Sequence, residues 1–358
     1  MIGSLIYSDY VKLIQNKNIV YNKISKKQIQ PSSIDLTLSN ECYEINHSFL
    51  SPNNNVRNKL QSKICKKINL SKYYLFKKNK TYLVKINEKL NLDKNIFGHC
   101  NPKSSTGRLD IFCRSIVNFS DEYEKIPKSY KGEIFLEITT RSFDIKFKEG
   151  DSLNQLRLIS KKNNFLKDSE LKKIHIKNKI IFKTNVHLDQ IFNNGVKVSV
   201  NLDNNERISA FKAKKNTKPI IFNKVNYYKI EDYWIPMSSK NKNLLIQKNN
   251  FYILRSKEKI KIPSTLAGEM IPYDTGIGDF RAHYAGFFDP GFGDPNGSFA
   301  VLEVKTNEIP FILEDGQTIA RIKYEKLNKN SNIVYGKDIK SNYQYQDLAL
   351  SKNFKKIL

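Results

Sequence analysis

Two groups of residues in this 358-residue chain have types and spacing suited to chemistry. The first is the run Lys103-Ser104-Ser105-Thr106-Gly107-Arg108, within NPKSSTGRLDIF. Its hydroxyls can donate hydrogen bonds, its two cations supply charge, and Gly107 permits a tight turn, so the run is suited to holding an anion. The second is Glu137, inside the strand-like run Ile134-Phe135-Leu136-Glu137-Ile138. An acid in apolar surroundings has a tunable proton affinity, as general acid–base catalysis requires. Read alone, each group has a plain alternative. Serine pairs before a glycine close turns, and strand glutamates are usually solvated or ion-paired. Only the combination points to a site.

The elements that must position these residues are short strands. From Tyr82 the runs YLVKI, EKLNL, IFGHC, IFCRSIV, EIFLEI, FDIKF and SLNQLRLI follow one another with polar turns between them. That pattern predicts an all-β sandwich or barrel-like unit. Ahead of it, Ser8 or Asp9 is placed to cap a short helix with Val11, Leu13 and Ile14 on one side. A strand over Ile34–Leu38 follows the turn at Pro31. Its Asp35 is either a surface carboxylate or one that orders the neighbouring loop. The Lys- and Asn-rich stretch 160–179 reads as a connection, with one short helix at 168–173.

The second half repeats the first. Tyr82-Leu83-Val84-Lys85, Glu88-Lys89-Leu90 and Gly98 recur as Tyr252-Ile253-Leu254-Arg255, Glu258-Lys259-Ile260 and Gly268, an offset of 268 − 98 = 170. Leu136-Glu137-Ile138 recurs as Leu302-Glu303-Val304, with 303 − 137 = 166. The expected organisation is a first repeat over 1–165, a second over 181–335 and a C-terminal tail over 336–358. The hydroxyl run was not duplicated: the second repeat has IPYDTGIGDFR, where Asp274 and Asp279 should repel a triphosphate unless a divalent ion intervenes. It adds instead a Gly- and aromatic-rich stretch from His283 to Ser298, containing Asp289-Pro290-Gly291-Phe292.

The SSxxR run, the later Leu136-Glu137 pair, the EGD…LNQLRL segment and the upstream IQPSSIDLTLS together resemble the dCTP deaminase family, in its long two-repeat form. The resemblance implies tandem dUTPase-like repeats, β-barrels or distorted jelly rolls. It also implies hydrolysis of the 4-amino group of dCTP to dUTP and ammonia, a step feeding dUMP and dTTP synthesis. Carried over residue by residue, Glu137 is the catalytic glutamate, and Ser104 and Arg108 hold the water and pyrimidine or orient Glu137. Lys103, Ser105, Thr106 and Gly107 meet the phosphates, and Gln155 lies near base or sugar. Lys103 stands where an arginine is common, which keeps the charge and loses the bidentate fork. Glu303, Asp289 and His283 are the possible contributors from the second repeat. The resemblance further implies a homo-oligomer, either a trimer or a pseudo-symmetric assembly of two-repeat chains, and feedback by dTTP.

Composition bounds the alternatives. The net charge of +26 would suit a polyanionic partner, but the lysines are scattered and no nucleic-acid motif is present. A basic surface can still steer a triphosphate. No secretory or membrane-length apolar segment occurs and the four cysteines form no CxxC pair, so a reduced, cytoplasmic protein is expected. Zinc deaminases need H-x-E and P-C-x-x-C, and neither occurs. Metal-free catalysis is therefore expected, with Mg²⁺ carried by the nucleotide. Two other functions stay open. One is dUTP diphosphatase activity, alone or combined with deamination, with Asp121 and Asp289 as candidate carboxylates. The other is a nucleotide-binding regulator without turnover.

Overall fold

The computed structural model describes residues 2–21, 23–162, 165–182, 186–203, 208–272, 280–282, 286–306, 309–339, 341 and 343–356. The chain is mainly β and divides into two compact units. Unit 1 takes Met1–Asn163, Asn216–Val225 and Leu327–Lys329, and unit 2 takes Asn164–Lys215, Asn226–Lys326 and Asn330–Leu358.

In unit 1 the alternating runs pair antiparallel. Lys131–Thr140, the strand of Glu137, lies between Thr81–Asn91 and Ile111–Val117. Leu38–Ile45 joins the far edge of Thr81–Asn91, and Ile64–Asn69 lies beyond it. The separate runs YLVKI and EKLNL are thus one strand. A second sheet pairs Asn154–Ser160 with Ile96–Pro102 along one edge and with Ile34–Leu36 and Gly3–Ser4 along the other. Period-two alternation assigns the faces of the glutamate strand. Ile134, Leu136 and Ile138 are fully buried on one face, while Phe135 and Glu137 occupy the other. That second face is roofed: Phe135, Leu83 and Ile116 pack with Phe49, Val56 and Leu60, the last two from a short helix over Val56–Leu60. Glu137 lies on this covered face and is itself buried.

The N-terminal helix runs Tyr7–Gln15 and starts after Ile6, whose N–H donates to the Asp9 carboxylate (3.1 Å). It buries Tyr10 and Leu13, whereas Val11 and Ile14 are half-buried. Asp9 thus works from the first turn and not as the cap.

Unit 2 repeats the scheme. Ser298–Thr306 pairs with Phe251–Ile260 and with Phe280–Ala282, and Leu266–Pro272 pairs with Thr318–Lys326. Its core includes Val198, Leu254, Leu302, Ile322 and Tyr324. The units differ from the expected ranges in four places, one being Leu327–Lys329, which fall in unit 1. Residues 216–225 belong to unit 1, where Ile220 and Ile221 pair in parallel with Ile145 and Lys146. The stretch read as a connection carries a helix over Asp168–Lys177, whose Leu171 is fully buried in the unit 2 core. The last residues are no free tail: Phe354 is buried within unit 2, its ring 5.5 Å from Tyr233 and 5.8 Å from Trp234.

Candidate active site

The hydroxyl run folds as one helical turn over Ser104–Gly107. Thr106 and Gly107 N–H donate to the Lys103 carbonyl (2.8 and 3.1 Å), and Arg108 N–H donates to the Ser104 carbonyl (3.0 Å). The left-handed residue here is Asp110, at φ 54°, so the turn does not draw on the special backbone freedom of Gly107. The Leu153 carbonyl fixes the turn, accepting from Lys103 N–H (2.9 Å) and from Thr106 Oγ1 (2.7 Å). Ser105, Thr106, Gly107 and Arg108 are buried, whereas Lys103 and Ser104 are half-buried.

Two strands bring Gln155 and Asp35 to the same place. Gln155 stands opposite Asp35 on one neighbour and opposite Asn101 on the other. The Lys103 ammonium pairs with the Asp35 carboxylate and reaches Ser152 Oγ at 3.5 Å. Of the two sequence alternatives for Asp35, the one that orders the run is what the structure contains. Lys103, Asp35, Asn101, Gln155 and the turn thus converge at one end of a sheet.

Glu137 sits elsewhere in unit 1. Its side chain is 2% exposed, and in register it faces Leu83 on one side and Arg114 on the other. Arg114 donates through one guanidinium nitrogen to Glu137 Oε1 (2.6 Å) and to Ser48 Oγ (3.3 Å). That guanidinium lies 3.6 Å from the Tyr123 ring centroid and 4.4 Å from that of Phe112. The Tyr123 hydroxyl is hydrogen-bonded to Ser48 Oγ (2.6 Å). Glu137 Oε2 is buried with no hydrogen-bond partner. Among the described residues, the hydrogen bonding of Glu137 goes to Arg114 and not to 103–108. Sequence reading missed Arg114, although a lone cation within IFCRSIV is a signal that something opposite it is charged.

In unit 2, Glu303 is 7% exposed and stands opposite Ile253. Asp289 is buried and opens a turn in which Gly291 is left-handed (φ 94°); a Cβ there would lie 2.8 Å from Val334 Cβ. His283, Asp274 and Asp279 lie outside the described residues. The position of Lys85 in the first repeat is Arg255 in the second, which is ion-paired with Asp347 and stacks 4.6 Å from the Phe299 ring centroid. Asp121 of unit 1 is exposed. Among the described residues no three His, Cys, Asp or Glu side chains converge as metal ligands, and no helix is long and apolar enough to cross a membrane.

Residues 2–164 match the N-terminal domain of 2'-deoxycytidine 5'-triphosphate deaminase, and residues 167–354 match its C-terminal domain. The chain belongs to the dCTP deaminase family. A solved dCTP deaminase from Agrobacterium tumefaciens is 34% identical, with a TM-score of 0.89 over 94% of this chain and 99% of that one. The tandem β-units are thus the long form of the family. Both sequence repeats fall in matched domains, and the hydroxyl run and Glu137 both fall in the N-terminal one.

Two further features of this dCTP deaminase-family unit bear on its chemistry. Burial pushes the Glu124 carboxyl up to about 7, offset in part by hydrogen bonds from Ser115 (2.9 Å) and Asn154 and by the charge of Arg114. Burial also raises the Cys100 and Cys113 thiols, which keeps them protonated and unreactive.

Proposed function

We propose that the protein hydrolyses dCTP to dUTP and ammonia, with Glu137 carrying the proton. The observation that supports this most is a dry glutamate with one oxygen unpartnered, in the domain that also keeps the hydroxyl run. A buried polar atom left without a partner costs stability and calls for a reason. A substrate water or the pyrimidine N3 supplies one.

The steps balance. Glu137 takes a proton from water as the hydroxide oxygen bonds to C4, and it delivers that proton to N3. The C4 hydroxyl proton then passes to the 4-amino nitrogen, the C–N bond breaks, ammonia leaves and the C4 carbonyl forms. In this reading Ser104 and Arg108 hold the water and the pyrimidine. Ser105, Thr106, Gly107 and Lys103 meet the phosphates of dCTP, which arrives as its Mg²⁺ complex, and Gln155 meets the base or sugar. Lys103 exchanges Asp35 for phosphate, so this grip is weaker than that of a free cation. Because the bond given to Glu137 among the described residues comes from Arg114, we place the complete site in a homo-oligomer, where one β-unit supplies the run and a neighbouring one the glutamate.

Product analysis tests the reading. Purified protein given dCTP and Mg²⁺ should release dUTP and ammonia in equal amounts. Bound dCTP without turnover would leave a nucleotide-binding regulator, and accumulation of dUMP would add a diphosphatase step.

A further inference from the structure

Arg114 is not among the residues that the family resemblance singles out, yet it is the partner of the buried glutamate. We propose that Arg114 is a positioning residue for Glu137: it occupies Oε1, fixes the carboxylate plane, and leaves Oε2 as the oxygen that exchanges the proton. This inference rests on the reading of Glu137 as the proton carrier.

Three observations carry it. Arg114 and Glu137 are direct cross-strand partners in register, so the contact is built into the sheet and not made by long wandering side chains. The guanidinium is held from two sides by the Phe112 and Tyr123 rings, and Tyr123 is tied to Ser48 at 2.6 Å. Arginine suits such a slot because it stacks and donates at the same time. Finally, the two oxygens of Glu137 differ: Oε1 accepts at 2.6 Å, whereas Oε2 is buried and unpartnered.

The chemistry follows from that asymmetry. A carboxylate whose two oxygens are equivalent can rotate and present either one. With Oε1 held by a charge-assisted bond, a single oxygen remains for both proton transfers, at one orientation. Around the pair lie Tyr123, Cys113, whose thiol feels the Glu137 charge, Arg141 on the Phe112 ring, and Glu124, held by Ser115. The strand carrying Leu83 brings no charge opposite Glu137.

The test compares kcat and KM for dCTP in the wild type, Arg114→Gln and Arg114→Lys, together with the double variant carrying Glu137→Gln. For Arg114→Gln the expected result is a roughly 100-fold loss of kcat. KM should change little. Arg114→Lys keeps the charge and loses the stacked fork, so kcat is only partly recovered. In the Glu137→Gln background the Arg114 change should have no further effect.

A structural role alone would lower the amount of folded protein and leave kcat per folded molecule unchanged. Wild-type kcat in Arg114→Gln overturns the inference while leaving Glu137 as proton carrier. If Arg114→Gln does not fold, wild-type kcat in Arg114→Lys overturns it equally. Absence of dUTP from the wild type removes instead the reading on which the inference rests.

Discussion

The two units are copies that kept the same skeleton and diverged around their glutamates. In unit 1 the Glu88 carboxylate accepts from Thr37 N–H (2.9 Å) and Thr37 Oγ1 (2.7 Å); in unit 2, Glu258 accepts from Ser199 N–H (2.9 Å) and Ser199 Oγ (2.5 Å). Tyr82 Oη accepts from Lys77 N–H at 3.2 Å, and Tyr252 Oη accepts from Gln247 N–H at 3.1 Å, the same bond displaced by 170 residues. The duplicated anchors are structural. What differs in sequence is the hydroxyl run, which unit 1 keeps and unit 2 has lost; unit 2 in turn packs Phe354 near the end of the chain beside Tyr233 and Trp234.

That contrast can be pressed. Phe354→Ala should cost about 3–4 kcal/mol, because it empties a slot beside Trp234 and Tyr233. Denaturant unfolding should show the loss in one of two transitions, the one belonging to unit 2, and an equal loss in both would break the assignment of the C-terminal residues to that unit. Glu88→Ala and Glu258→Ala should each cost about 2–3 kcal/mol, because each leaves a buried N–H without its acceptor. Widely unequal costs would contradict equivalent anchors. Thr106→Val removes the bond to the Leu153 carbonyl and should cost about 1 kcal/mol while raising KM for dCTP more than it lowers kcat. A change in kcat alone would mean that the turn acts on the chemistry and not on binding.

A further prediction concerns pH. Glu124 has a folded pKa raised by burial to about 7, above its unfolded value near 4.5. A raised acid contributes stability that is complete below the unfolded pKa and is lost as pH rises through the folded one. Unit 1 should therefore weaken between about pH 4.5 and 7, and Glu124→Gln should flatten that part of the curve. A wild-type curve that rises over this range would contradict it.

Much of this was legible in the chain. The duplication, the mainly β architecture, the turn at 103–108 and the buried glutamate follow from wording and period alone. Three things were not. The cover on the Phe135 face comes from a segment rich in Asn and Ser, and nothing in its composition shows that Phe49, Val56 and Leu60 land on one sheet face. Arg114 was hidden because strand register, which is what sets it opposite Glu137, cannot be read from one sequence. The short segment with Ile220 and Ile221 completes a sheet of unit 1 although it lies between strands of unit 2, and two β-branched residues carry no label of destination. Leu350 and Phe354 did carry a signal, as two of the apolar residues in the ending DLALSKNFKKIL, and both are buried.

The most direct measurement is single-turnover conversion of dCTP by Glu137→Gln and Glu303→Gln beside the wild type, with dUTP as the readout. If unit 1 holds the proton carrier, Glu137→Gln loses about 10³-fold or more and Glu303→Gln stays within about threefold. The opposite pattern, with Glu303→Gln inactive and Glu137→Gln turning over, would contradict the account and move the chemistry to the second unit.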